Sequence, residues 1–279
     1  MGALLALVAA ASYGVSDFAA GLASRRFAAG PVAAVAQAFG VLTAAVALGL
    51  FPGAGPTAVV LGWGAISGLG SALGTLSLYR GFAVGRLSVV AAVSAVLTAV
   101  IPAIVGLALG NHLTTGAAVG IALAIPAIGL ISWRPQPHEG NAAHAGVLYG
   151  VLAGLGFSLL FIALDRAGTH AGAWPLVPGQ GVALLLELPF ALRGLRSAGM
   201  PARATVGLMT IGGVLSGTGN LLFLAATGRG QLAIVAVLSS FYPAITILLA
   251  RALLAERWTR EQAAGLLIAA AAVVLVSTG

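Results

Sequence analysis

The chain has 279 residues, of which 60% are hydrophobic and only 7% charged, with a mean hydropathy of +1.08. A soluble globular domain carries about 25% charged residues, so the composition excludes a water-soluble fold and places the chain in a bilayer. All 13 basic residues are arginine, and the net charge of +7 is read as arginines beside anionic headgroups, not as a nucleic-acid surface.

There is no cysteine, hence no disulfide framework and no thiolate metal site. No positive segment precedes the first apolar stretch, so no cleavable signal peptide is expected.

A helix needs about 20 apolar residues to cross a bilayer. Charges and Gly/Pro clusters divide the chain into ten such stretches, at 2–23, 31–51, 57–79, 87–109, 113–132, 144–164, 172–192, 204–226, 231–250 and 262–278. The runs lack the alternation of a membrane β-barrel, and 40 glycines suit closely packed helices.

The first stretch contains "SYGVSDFAAGLASRR", residues 12–26. Asp17 lies roughly 10–12 Å along the axis from Arg25 at the helical rise. A carboxylate at a helix centre costs about 2.5–3.5 kcal/mol on insertion scales. Tyr13 and Asp17 share a face at i, i+4 with Ser16 nearby, which is read as a cavity face. Asp17 is a candidate proton or cation site, a contact for a substrate amine, or the partner of an arginine at the same level, Arg80 or Arg86.

The second stretch carries Gln37, the third Tyr79, and the fourth Ser94 and Thr98. A polar linker, "WRPQPHEGNAAH" at 133–144, follows the fifth. The sixth holds Ser158, Phe157, Phe161 and then Asp165; the seventh holds Gln180 and Glu187. Glu187, a turn and a half before Arg193, is expected to snorkel to the surface. The eighth carries Asn220 and Phe223 and is followed by Arg229. The ninth carries Ser239, Ser240, Tyr242 and Pro243, the last being the expected hinge. Singly, such polar groups mostly join helices, worth about 0.6 kcal/mol on average, and aromatics mostly pack. Together they form a candidate cavity lining. The four histidines lie in or near loops without metal-ligand spacing, so neither metal nor cofactor is expected.

The linker falls near the midpoint, and the halves repeat. Residues 68–132 align with 213–277 without a gap, pairing Gly68, Ser71, Gly74 and Ser94 with Gly213, Ser216, Gly219 and Ser239. Thr114 pairs with Thr259 and Gly120 with Gly265. Earlier, Gly14, Ser16 and Gln37 pair with Gly156, Ser158 and Gln180. The domains are therefore a first repeat at 1–133, a linker at 134–143 and a second repeat at 144–279. Five helices per repeat is an odd number, so the second copy enters the membrane inverted. The expected fold is an all-α integral membrane protein of ten helices, two inverted five-helix repeats around a central cavity. That architecture belongs to carriers working by alternating access. Asp17 with Arg80, and Asp165 with Arg229, are then candidate gates on opposite faces.

The segment 242–277, with Pro243, the Leu254–Glu256 turn, Gln262 and Gly265, resembles the end of an EamA-type repeat of the drug/metabolite transporter superfamily, and "ASYGVSDFAAGLA" resembles that family's first helix. The first repeat departs from the pattern, with Asn111 for the turn Glu and Thr98 in place of Pro243. The resemblance implies a ten-helix carrier of small metabolites, most often an exporter of amino acids or drugs, with termini in the cytoplasm. It implies a bacterial-type cytoplasmic membrane and a small-molecule substrate. No nucleic-acid partner is expected, and a monomer is the expected state.

Loops after the odd-numbered stretches hold 11 arginines and those after the even-numbered ones hold 2. The positive-inside rule makes the richer face cytoplasmic and both termini external, the reverse of the family expectation. Rival functions find less support. No phosphate-binding loop, H-E-x-x-H or G-x-S-G stretch occurs, so neither a pump nor an embedded enzyme is expected. A lipid-linked sugar flippase of the same superfamily is the alternative.

Overall fold

The computed structural model describes residues 1–84, 87–131, 140–254 and 259–278. Arg86, Glu256 and the linker residues 134–139 lie outside these.

The described residues form helices joined by short turns, without strands. In chain order they are α1 (Gly2–Ser24), α2 (Ala29–Leu50), α3 (Ala58–Val84), α4 (Leu87–Ala108), α5 (Thr115–Ile131), α6 (Gly140–Arg166), α7 (Leu176–Ala198), α8 (Arg203–Thr227), α9 (Leu232–Ser239), α10 (Tyr242–Leu254) and α11 (Arg260–Thr278). A single 3-10 turn, Thr169–Ala171, lies between α6 and α7. Six helices (α1, α2, α3, α6, α7 and α8) are long and apolar enough to cross a membrane.

Two expectations change. The ninth stretch is two helices, α9 and α10, broken at Ser240 and Phe241. Pro243 has no N–H, so the carbonyl of Ser239 loses its i+4 donor; the turn is closed instead by short bonds such as Phe241 N to Leu238 O at 3.3 Å. In α4, Thr98 stands at the matching position and the helix runs through, its Oγ1 donating to Ser94 O at 2.8 Å. Second, Arg80 is not in a loop: α3 continues past it to Val84.

Helix ends are set by threonines. Thr114 Oγ1 accepts from Ala117 N at 3.1 Å and starts α5. Thr259 and Gln262 cap α11 reciprocally, each side chain accepting the other's backbone N–H. Asn111 caps a different helix, its Oδ1 accepting from Ala233 N at the start of α9.

Packing is close because glycine allows it. A Cβ on Gly156 of α6 would collide with the backbone of Gly70 and Gly74 in α3. A Cβ on Gly219 of α8 would enter the ring of Tyr13 in α1. Gly120 of α5 meets Ala272 and Val276 of α11, while Gly265 of α11 meets Ala127 and Ile131 of α5. These contacts make α5 and α11 antiparallel. The same holds for α2 and α7, where Gly30 meets Phe190 and Gly40 meets Gln180. Helix α1 packs on α8 and α3 on α6, while α3 also packs on α7 and α2 on α8.

Candidate functional site

A cavity lies where α1, α3 and α4 meet α6, α8 and α10. Tyr13 and Asp17 enter from α1, as their i, i+4 spacing requires. The α3 helix supplies Ser71, Thr75, Leu78 and Tyr79, and α4 supplies Thr98. From the other half come Phe157, Leu160 and Phe161 of α6, Ser216 and Asn220 of α8, and Tyr242 of α10. Its volume is about 40 Å³. A water needs roughly 10–15 Å³, so the space holds a few waters and no metabolite. A smaller chamber of about 10 Å³ adjoins it, sharing Ser71, Leu160 and Asn220 and reaching Gln180.

Asp17 is half-buried and, among the described residues, is the one charged side chain in the lining. Among the described residues no arginine acts on its carboxylate. Instead its charge reaches three tyrosines, Tyr13, Tyr79 and Tyr242. Each tyrosine hydroxyl is tied elsewhere. Tyr13 donates to Asn220 Oδ1 at 2.7 Å, Tyr242 to Ser94 Oγ at 3.5 Å, and Tyr79 lies against Ser16. Phe161 stacks on Phe223 with ring centroids 3.9 Å apart and tilts against Tyr13 at 5.9 Å. The result is a rigid aromatic wall around one acid.

Eight sequence candidates therefore line the cavity: Tyr13, Asp17, Tyr79, Thr98, Phe157, Phe161, Asn220 and Tyr242. The others stand behind it. Gln37 donates to Gln180 Oε1 at 2.6 Å and to Ser71 Oγ at 3.1 Å, joining α2, α7 and α3. Ser158 is bound to Gly154 O and Leu97 O, and Ser239 to Ala6 O at 3.4 Å. Ser71 and Ser216 were visible only as a repeat pair; both face the cavity. Thr75, Leu78 and Leu160 carried no signal in the sequence.

Neither proposed ion pair is formed in this conformation. Arg80 is exposed. Asp165, in the last turn of α6, has Arg166 as its charged neighbour, and the Arg229 guanidinium donates to Ala225 O at 3.0 Å. Glu187 does not snorkel: it sits at the middle of α7, fully buried, with neither carboxylate oxygen hydrogen-bonded. Its distance in sequence from Arg193 suggested an exit to the surface, but Glu187 is buried in a helix that packs against α2 and α3. Among the described residues no cluster of His, Cys, Asp or Glu is able to hold a metal.

Residues 144–278 match the model of the EamA-like transporter family. That match places the chain in the drug/metabolite transporter superfamily. It is a multi-pass membrane protein of a family of transporters, with the bilayer and a small solute as its partners. One solved crystal structure, described only as that of a protein, is similar at a TM-score of 0.74 and 14% identity, over 99% of this chain and 96% of that one. That likeness concerns the fold. No curated protein matches the chain significantly.

Proposed function

We propose that the chain is a secondary carrier that moves small amine-bearing metabolites outward across a bacterial cytoplasmic membrane by alternating access, amino acids first among them. The observation that carries this reading is Asp17, a carboxylate without a cationic partner among the described residues, facing a cavity walled by tyrosines. A carboxylate attracts an ammonium group, and aromatic faces within about 6 Å add cation–π attraction. The inverted repeat is supported by the antiparallel pairing of α2 with α7 and of α5 with α11. A central site is supported by the cavity drawing three helices from each half. A cavity of this size stands for a closed state, so loading requires the helices to part, with Pro243 as the hinge. The pairs Asp17–Arg80 and Asp165–Arg229 would then form as gates in other states.

A second reading has its own support. The lining holds no basic residue to receive a carboxylate, which favours an organic cation over a zwitterion. The test is uptake into proteoliposomes of labelled amino acids and of tetraethylammonium, with and without a pH gradient. Saturable uptake of either supports the carrier, and which one moves decides between the readings. No uptake of any solute, together with scrambling of labelled lipid, would replace the carrier with the flippase.

A further inference from the structure

Glu187 takes no part in the cavity lining, yet it is the most unusual ionisable group in the molecule. It lies midway along α7, has no exposed surface, and neither Oε1 nor Oε2 has a hydrogen-bond partner. Native buried polar groups are nearly always paired. An ionised carboxylate left alone in such a place costs several kcal/mol, so something must occupy it.

The surroundings decide what. The helices packed on α7 are chiefly α2 and α3. The α2 helix, Ala29–Leu50, has no titratable residue. The α3 helix brings Tyr79, whose hydroxyl is within electrostatic reach of Glu187 and of Asp17 alike, and Arg80, which is exposed. On α7 itself Arg193 and Arg196 are exposed near the end. A metal cation needs several oxygen ligands, and here neither carboxylate oxygen has a polar atom within bonding distance. A proton needs none.

We propose that Glu187 is a second proton-binding site of the carrier, apart from Asp17 in the cavity. Glu187 holds its proton in the closed state and releases it when motion of α7 against α3 admits water. The transfer is of one proton between the carboxyl and water, with no bond made or broken in the substrate. Asp17 binds the cargo amine from the cavity side, and Glu187 carries the one coupled proton. The coupling part rests on the carrier reading; the proton site does not.

Two measurements on the full chain test this. Infrared spectra at neutral pH should contain a carboxylic-acid C=O band that Glu187→Gln removes and Glu187→Asp retains at a shifted frequency. If Glu187→Gln, checked for folding by size exclusion, leaves that band unchanged, the proton site is wrong. In proteoliposomes with tyramine as probe, a pH gradient of one unit driving one proton supports about tenfold accumulation. Glu187→Gln should lose that tenfold while still exchanging labelled for unlabelled tyramine. Accumulation equal to that of the wild type would overturn the coupling role. An intact acid band in a wild-type protein that carries no amine would fault the carrier reading and leave the proton site standing.

Discussion

The Tyr13–Asn220 bond joins α1 to α8 at 2.7 Å between buried partners. Tyr13→Phe removes the donor and strands the Asn220 oxygen, at a cost of roughly 1–3 kcal/mol. Thermal unfolding in detergent should fall accordingly, and an unchanged midpoint would show that another donor takes over. Gln37 and Gln180 offer a cleaner measurement. A double-mutant cycle with Gln37→Leu and Gln180→Leu should give a coupling of about 0.6–1.7 kcal/mol, the range for polar pairs inside membrane bundles. Additive losses would mean that the bond at 2.6 Å contributes nothing. The sequence paired these glutamines as equivalents of one another, because repeats keep residue types in step. It had no means of bringing them into contact. Asp17 was legible for the opposite reason, since a carboxylate in an apolar run is conspicuous by itself. Glu187 was equally conspicuous but misread, because linear distance to an arginine says nothing about which helices cover the path.

Among the elements, the all-helical class followed from hydropathy and turn residues, while the caps were not read from the sequence. Thr114 and Thr259 align, and both begin helices. The break between α9 and α10 was only half legible. Pro243 announced a kink, but Thr98 in the matching place gave no sign that α4 would run straight. Together α9 and α10 span roughly 12 and 20 Å at the helical rise, one interrupted crossing. Pro243→Ala restores the missing N–H for Ser239 O. The expected result is a slower exchange of labelled substrate at unchanged thermal stability; equal exchange rates would remove Pro243 as the hinge. Close approach is the other element-scale determinant. Gly156→Val places a side chain against the backbone of Gly70 and Gly74. Overpacking costs typically 1–3 kcal/mol or more, so the purified variant should unfold at a lower temperature or fail to fold. Full stability would show that α3 and α6 are free to separate.

For the whole molecule, α2 and α7, and α5 and α11, run antiparallel. Under the proposed inverted repeat, the two faces of the body are alike in shape. Orientation must then be decided by charge, and the charges are uneven, with 11 arginines assigned to one face and 2 to the other. The structure draws several of these into helix ends, Arg80 and Arg193 among them, but leaves them exposed. The positive-inside rule counts residues near the ends of spans as well as in loops, so the bias survives. The prediction is that alkaline phosphatase fused after Gly279 is active while a fluorescent reporter that matures only in the cytoplasm is dark there. Placing arginines in the loop between α2 and α3, on the poorer face, should weaken the bias and raise the fluorescent signal. A C-terminal fusion that is fluorescent from the start would put the arginine-rich face outside, and some force other than charge would have to hold it there.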